Sequence, residues 1–366
     1  MAFPYRADHV GSLLRPPELL DARKNRDSAP ERIEELEDRH ILRALNRQKE
    51  LGFRIFSDGE FRRNGFMSGF YDSVDGLDRD GSIARQWQSR VGVKNNPLTG
   101  IVVEKIRQTR RLTAHEVAFL ESHSPGDFKV TLPSANQFPA IMYKRGLSER
   151  AYPSYSAFLW DVVPIIQSEI RALSREGVKY IQLDAPRYSY YLDPKWRRYM
   201  REEMGQEPDR ALDEAIRADN ACLEGVDRSR IHVAIHLCRG NNRSQWYAEG
   251  GYDPIAEKLF GELKVNAFLL EYESERAGTF EPLRLVPRGR TVVLGLVSSK
   301  LPEPEPQAEL VRRIEAASRF VPVENLALSP QCGFASTAEG NLLSEEQQWE
   351  KLRLVADAAQ QVWGET

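Results

Sequence analysis

Short apolar, β-rich runs recur along the 366-residue chain, and helical patterns fill several of the intervals between them. Such alternation is typical of a parallel sheet whose strands are covered by helices. The apolar spacing predicts helices over 155–176, 303–319 and 343–363. Eight runs together predict a single (β/α)8 TIM barrel over residues 1–366. The predicted strands are 7–13, 53–61, 128–135, 178–186, 231–238, 267–273, 291–299 and 326–333.

The segment 62–127 does not follow this alternation. It contains the turn-rich stretches DGLDRDGS and KNNPLTG beside two short β-like runs. Turn residues between β-like runs are typical of hairpins. We interpret 62–127 as an excursion, a β-hairpin, inserted after the second strand. Its sequence does not decide whether it forms a lid over one end of the barrel.

The composition excludes several classes of protein. The formal net charge is −3, without the basic excess of a nucleic-acid-binding protein. No stretch approaches the roughly 18 consecutive apolar residues of a membrane span, and the first residues lack the pattern of a signal peptide. Three cysteines do not make a disulfide framework. We therefore expect a cytoplasmic protein without nucleic-acid or membrane partners, in which cysteines that matter are reactive or bind metal.

Polar and ionisable residues end many of the predicted strands, which is where catalytic groups lie in barrels of this kind. They are His9 and Ser12, Asp58 and Glu60, Asp184, His236 and Cys238, Glu271, and Cys332. His236 and Cys238 are two residues apart, so their side chains point to the same side of a strand. With Glu271 and Cys332 they could form a tetrahedral zinc site. The alternative, that these cysteines are only small buried hydrophobic residues, stays open at this point.

Six motifs occur in one order over most of residues 5–362: HVGSLLRP, SDGEFRRN, IQLDAP, IHLCRGN, LEYE and LSPQCGF. In this order they resemble the C-terminal catalytic barrel of the cobalamin-independent methionine synthase family, and most closely its short, single-barrel members. The resemblance implies that Zn²⁺ is held by His236, Cys238, Glu271 and Cys332. Glu273 would share a face with Glu271, but we prefer Glu271 because it directly follows the apolar run.

The resemblance also implies a pocket for a thiol amino acid. Ser12, Glu60 and Asp184 match residues that hold this substrate. Two carboxylates suit an α-amino group, whereas a serine and nearby backbone N–H groups suit a carboxylate. His9 and Gly11 precede the serine and are predicted to bind substrate with it, although capping of a loop is an alternative role for His9.

Two departures from the family leave the methyl donor open. Where the family has a histidine after the seventh strand, this chain reads VSSKLPE, which places Ser299 or Lys300 there. Lys300 is therefore the candidate catalytic acid. The chain also lacks the N-terminal half that helps long members to bind folate, and Tyr143 stands near the place of a folate-stacking tryptophan. A folate, a corrinoid protein or a small methylated sulfur compound is a possible donor.

These observations predict zinc-dependent transfer of a methyl group to the thiol of homocysteine, which gives methionine. Metal coordination would convert the thiol into a nucleophilic thiolate. Three alternatives remain: alkyl transfer to another thiol such as coenzyme M, a decarboxylase-like barrel without metal, and a zinc-stabilised binding protein. Additional arginine or lysine residues facing the metal would favour the sulfonate of coenzyme M.

Overall fold

The computed structural model describes residues 3–25, 27–89, 92–95 and 98–366. The strands in these ranges are β1 (Val74–Ile83), β2 (Gln86–Ser89), β3 (Gly92–Asn95), β4 (Leu98–Gln108), β5 (Lys129–Pro133), β6 (Tyr180–Asp184), β7 (His232–Leu237), β8 (Ala267–Glu271), β9 (Thr291–Val297) and β10 (Leu326–Pro330). Strands β5 to β10 form one parallel sheet in the order β10-β9-β8-β7-β6-β5. Every residue of these six strands is buried, as expected for a sheet covered on both faces. The prediction of an α/β fold with a parallel sheet is confirmed.

Helices connect most of these strands. In the described ranges they are α1 (Pro17–Lys24), α2 (Pro30–Glu50), α3 (Ser68–Tyr71), α4 (Ala114–His123), α5 (Gln137–Met142), α6 (Tyr155–Arg175), α7 (Ser189–Leu192), α8 (Pro194–Glu202), α9 (Pro208–Cys222), α10 (Ala256–Glu262), α11 (Gln307–Ala317) and α12 (Glu345–Trp363). The three helices predicted from apolar spacing correspond to α6, α11 and α12.

Helix α6 shows how local sequence produces these elements. The Oγ atom of Ser154 accepts a hydrogen bond from the N–H of Ala157 at 3.1 Å, which satisfies one of the free donors at the start of the helix. Phe158, Val162 and Ile166 follow at four-residue spacing and are all buried. The helix therefore presents one apolar stripe to the interior of the protein.

The first two predicted strands are found only as single bridges at the two edges of the sheet. Ala7 bridges Leu328 of β10 in parallel orientation, and Phe56 bridges Phe128 next to β5. The two edge segments also meet each other, since the Oγ atom of Ser57 donates to the carbonyl oxygen of Gly11 at 3.1 Å. A six-stranded parallel sheet with one bridged segment at each edge is consistent with a barrel-type domain.

The expectation of regular strands over 7–13 and 53–61 was therefore wrong. Both segments contain a residue whose backbone cannot continue a strand: φ is +65° at Val10 and +58° at Glu60. The N–H of Gly11 donates to the carbonyl oxygen of His9 at 2.8 Å, which closes a tight turn centred on Val10. Positive φ in residues that carry a Cβ atom is costly, and such strain concentrates at functional sites.

The segment 62–127 contains two antiparallel pairs rather than one hairpin. Strand β1 pairs with β4, and β2 pairs with β3. Helices α3 and α4 flank these strands. The backbones of Gln88 in β2 and Trp246 exchange two hydrogen bonds, at 2.6 Å and 3.0 Å. This bridge attaches the insertion to the loop that follows β7.

No helix in the described ranges is both long enough and apolar enough to span a membrane.

Candidate metal centre and pocket

Three predicted metal ligands lie together at the carboxyl end of the parallel sheet. His236 belongs to β7, Cys238 follows the last residue of β7, and Cys332 follows β10. One ligand atom from each lies within 4.8 Å of the others. All three residues are at most 5 % exposed. The two-residue spacing of His236 and Cys238 places both on one side of β7, as the sequence predicted.

Cys332 reaches the other two ligands because β10 ends irregularly. The pairing of β10 with β9 shifts between Ser329 and Pro330, two residues before the cysteine. Gly295 of β9 makes room for this path. A Cβ atom there would lie 2.8 Å from the Cα atom of Gln331. Since real Cβ atoms do not approach backbone atoms so closely, the position requires glycine.

The chemistry of this cluster fits a metal ion. Among the described residues, neither ring nitrogen of His236 has a hydrogen-bond partner, although the side chain is buried. A buried polar atom without a partner is costly, and a bound cation would satisfy it. The pKa of the Cys332 thiol is held well below its usual range, chiefly by the adjacent Cys238 thiol and also by the His236 ring. One imidazole and two cysteine sulfurs are a donor set typical of zinc.

Glu271 ends β8 beside this cluster, but its carboxylate is hydrogen-bonded elsewhere. One oxygen accepts from Arg276 at 2.9 Å and the other from the backbone N–H of Arg239 at 2.8 Å. Burial favours a higher pKa, but Arg276 and Lys300 lower the pKa of Glu271 below its usual value. Glu271 is thus ionised and adjacent, but the group of three ligand atoms does not include it. Arg276 also forms an ion pair with Glu273.

A cavity of about 360 Å³, called the pocket below, opens onto the cluster. Its lining includes His236, Cys238 and Cys332 together with three of the predicted substrate residues, Ser12, Glu60 and Asp184. The structure thus brings together the predicted metal ligands, except Glu271, and the residues predicted to hold an amino acid.

The two carboxylates in the pocket, those of Glu60 and Asp184, have different hydrogen-bond partners. Glu60 accepts a hydrogen bond from the hydroxyl of Thr131 at 2.8 Å. Its other oxygen has no hydrogen-bond partner among the described residues and lies 4.0 Å from a guanidinium nitrogen of Arg63. Asp184 accepts from the amide of Gln182 at 2.8 Å. Burial raises the pKa of Asp184 to about 7. Both carboxylates would gain from a cationic group in the pocket, because a cation satisfies buried negative charge.

His9, Gly11 and Lys300 lie near the pocket but not in its described lining. The Nε2 atom of His9 is 3.2 Å from the carbonyl oxygen of Ile55, and burial lowers the pKa of the ring to about 3. His9 is therefore a neutral residue in the wall behind the pocket. Gly11 allows close approach of Glu60, whose Oε1 atom would lie 2.9 Å from an added Cβ.

The ammonium group of Lys300 is bound to the loop that carries the metal ligands. It donates to the carbonyl oxygen of Gly240 at 2.9 Å and to Oδ1 of Asn241 at 3.2 Å. Asn241 in turn donates to the carbonyl oxygen of Gly333 at 2.9 Å, next to Cys332. These contacts connect the two cysteine-bearing loops. The predicted role of Lys300 as a catalytic acid stays a prediction.

Sequence reasoning missed the aromatic and basic wall of the pocket. Arg85 and Trp87, from the insertion, line it together with Tyr247. The alternation of β2 places Trp87 inward, and Arg85 immediately precedes that strand. The stretch ARQWQS carried the signal, a basic and an aromatic residue at two-residue spacing, but nothing in the sequence showed which surface it would face.

Comparison with known proteins agrees with the motifs. A family model described as "Cobalamin-independent synthase, Catalytic domain" matches residues 14–361. The chain is 37 % identical over 366 residues to the uncharacterized protein YxjH of Bacillus subtilis (strain 168), covering 98 % of this chain and 95 % of that one. It is 24 % identical over 328 residues to the methionine synthase of Pyrococcus abyssi, covering 88 % and 84 %.

Two solved structures have similar folds. One, from Listeria monocytogenes, is provisionally assigned as a vitamin-B12-independent methionine synthase; its TM-score is 0.73 at 29 % identity, with full coverage of both chains. The other is a B12-independent methionine synthase from Shewanella sp. W3-18-1 in complex with selenomethionine, with a TM-score of 0.76 at 20 % identity, covering 98 % of this chain and 97 % of that one.

Proposed function

Because the chain belongs to the family of cobalamin-independent synthase catalytic domains, we propose that it transfers a methyl group to the thiol of homocysteine and releases methionine. The observation that carries this proposal is one pocket lined by two groups of residues: three buried metal-ligating side chains, and the carboxylates of Glu60 and Asp184. We also propose that the parallel sheet closes as a (β/α)8 barrel in one domain over residues 1–366, with 62–127 as its insertion.

His236, Cys238 and Cys332 would hold Zn²⁺, with Glu271 as the fourth ligand. A bound zinc ion would lower the pKa of an incoming thiol and so supply a thiolate nucleophile at neutral pH. A carboxylate is the hardest of the four donors and the one most easily exchanged for a sulfur ligand. The hydrogen bonds of Glu271 to Arg276 and to the Arg239 N–H support this role, because they stabilise the carboxylate away from the metal.

Glu60 and Asp184 would receive the ammonium group of homocysteine. A cation beside Asp184 favours its ionised form and so returns the pKa of about 7 toward the ordinary carboxyl range. The hydroxyl of Ser12 would face the substrate carboxylate. Two carboxylates and one hydroxyl favour an α-amino acid over the sulfonate of coenzyme M, which has no ammonium group.

The methyl donor enters the same pocket from the side formed by the insertion. Trp87, Met67 and Phe66 of the insertion, together with Ile141 of α5, make this side largely apolar. An apolar wall excludes water from the reacting sulfur and methyl group. A folate and a corrinoid both remain candidate donors.

The test of this proposal is methionine formation by the zinc-loaded protein with homocysteine and a panel of methyl donors. The variants Cys238→Ala and Cys332→Ala should lose both zinc and product. Cys222→Ala is the matched control: Cys222 is buried in α9, and its thiol lies 3.8 Å from the carbonyl oxygen of Val163. Preferential methylation of coenzyme M in the same assay would favour the alternative acceptor, and undiminished product from Cys332→Ala would contradict the proposal.

A further inference from the structure

The insertion places a buried guanidinium group at the wall of the pocket. Arg85 is 4 % exposed, and its guanidinium carbon lies about 5 Å from the ring centroids of Tyr190, Trp196 and Tyr247. Its NH2 group is 3.5 Å from the carbonyl oxygen of Ala140, at the limit of a hydrogen bond. Its Nε–H has no partner among the described residues.

A second buried arginine lies behind the first. Arg187 is 3 % exposed, and its guanidinium carbon lies 3.5 Å from the ring centroid of Tyr190, the ring that also borders Arg85. One of its nitrogens is 3.4 Å from the sulfur of Met204, and another has no partner in the described part of the chain. Burial has the largest effect on the pKa of Arg85, and Arg187 lowers it further, which shows that the two like charges interact.

Neither arginine has an ion-pair partner among the residues that the structure describes. The other titratable groups that interact with them are tyrosines. Tyr247 and Tyr191 are neutral at physiological pH, since burial raises their pKa values to about 12. A buried charge without a counterion is strongly unfavourable. Rings around a guanidinium offset only part of this cost. Arg85 carries such a charge at the wall of the pocket, with Arg187 behind it, and this arrangement indicates a site for an anion.

We propose that Arg85, supported by Arg187, binds an oxyanion of the methyl donor, either a carboxylate or a phosphate. The Nε edge of a guanidinium presents two parallel N–H groups, which match two oxygens of such a group. The acceptor does not need this site, because Glu60, Asp184 and Ser12 already suit the charged groups of an amino acid. The donor is thus a molecule with an apolar body against Trp87 and an oxyanion at Arg85.

This inference rests on the proposed methyl transfer for the identity of the ligand, but the binding of an anion can be measured without turnover. The probes are succinate and inorganic phosphate, titrated calorimetrically into the intact zinc-loaded protein. Wild type should bind one of them, and the preferred probe tells whether the oxyanion is a carboxylate or a phosphate. Arg85→Met should weaken this binding at least about tenfold, because a bidentate charge-assisted contact is lost. Arg187→Met should weaken it less.

Two further variants separate binding from packing. Lys105→Met is the matched control, since Lys105 lies in the same insertion with its ammonium group over the ring of Tyr152 and outside the lining of the pocket. It should leave anion affinity unchanged. Arg85→Lys keeps the positive charge but not the two parallel N–H groups, so it should restore part of the affinity lost in Arg85→Met. It also tests the proposal if Arg85→Met does not fold. In turnover with an anionic donor, Arg85→Lys should raise KM with little change in kcat.

The proposal is overturned if wild type binds neither probe, or if Arg85→Met and Arg85→Lys bind as tightly as wild type while only their thermal stability falls. That second result would mean that Arg85 only packs the insertion against the rings of Tyr190, Trp196 and Tyr247. Normal anion binding with no methionine formed from any donor would instead refute the proposed function and leave the anion site in place.

Discussion

The amide of Gln182 connects the pocket to a buried ion pair beneath it. Its Nε2 group donates to Oδ1 of Asp184 at 2.8 Å, while its Oε1 atom accepts from Nζ of Lys129 at 2.9 Å. Lys129 in turn forms an ion pair with Asp8. Because Lys129 can only donate, it fixes which side of the amide faces Asp184. The carboxylate is thereby held in one orientation toward the pocket.

The first prediction follows from this orientation. Gln182→Leu removes the donor to Asp184 and should raise KM for homocysteine about 10–100-fold, the value of one hydrogen bond to a charged group. Zinc content should not change, since the side-chain hydrogen bonds of Gln182 in the described ranges go to Lys129 and Asp184 and not to a metal ligand. Steady-state kinetics with metal analysis checks this. Loss of zinc, or a fall in kcat at unchanged KM, would show that Gln182 acts on the cluster instead.

The second prediction concerns Asp219 in α9, outside the pocket. It accepts from the hydroxyl of Tyr188 at 2.9 Å, and burial raises its pKa to about 7. In the unfolded chain the Asp219 side chain has a pKa of about 3.9. Between this pKa and the pKa in the folded state, the folded protein therefore holds a proton on Asp219 that the unfolded chain has lost. This contribution to stability is present below about pH 4 and is lost as pH rises to about 7, for a total of at most about 4 kcal/mol.

Asp219→Asn should remove this pH dependence. The free energy of unfolding, measured with urea from pH 4 to pH 8, should fall more steeply for wild type than for the variant. Asp213→Asn is the matched control, because Asp213 lies on the same helix with a side chain 45 % exposed. The free energy of unfolding of Asp213→Asn should change with pH as steeply as that of wild type. Equal slopes for wild type and Asp219→Asn would show that Asp219 is ionised in the folded protein throughout.

The third prediction concerns the approach of β10 to β9. Gly295→Ala should cost about 1–3 kcal/mol through overpacking and displace the loop of Cys332, with loss of zinc affinity. Gly261→Ala in α10 is the control, since a Cβ atom there meets nothing within 4 Å. It should stabilise the protein by about 0.5–1 kcal/mol. Denaturant unfolding and zinc titration test both variants, and a Gly295→Ala variant that retains zinc with unchanged stability would rule out this explanation.

The fourth prediction separates Glu271 from Glu273, which share Arg276 as a partner. If Glu271 is the fourth ligand, Glu271→Gln should lower zinc affinity by about 10–100-fold, the range seen when groups that support a metal site are changed. Glu273→Gln should change it little. A competition titration with a zinc chelator measures both. The reverse ranking would assign the fourth position to Glu273.

The sequence predicted those parts of the site that depend on strand periodicity. His236 and Cys238 face one side because they alternate on β7, and Cys332 and Asp184 lie at the same edge because parallel strands share one carboxyl end. The six buried strands were recognisable for the same reason. The irregular backbone of the two edge segments was not predictable, because positive φ at Val10 and Glu60 is imposed by the surrounding structure and not by residue type.

Contacts that depend on loop conformation were also beyond local sequence patterns. Arg276 pairs with Glu271 after a turn of the chain, which no periodicity describes. Arg85 reaches the pocket through the strand that follows it, β2. Gln88 of this strand bridges Trp246, which lies 158 residues further along the chain. Lys300 was predicted as a catalytic acid, which stays a prediction; its hydrogen bonds to Gly240 and Asn241 follow from loop conformation, which no sequence pattern describes.

The central claim is that His236, Cys238 and Cys332 hold one zinc ion to which a substrate thiol can be added. Zinc X-ray absorption spectroscopy of the loaded protein measures this directly, because it counts sulfur neighbours. We expect two sulfur atoms at about 2.3 Å from zinc without substrate, and three after homocysteine is added. A count that stays at two, or a protein that binds no stoichiometric zinc, would contradict it.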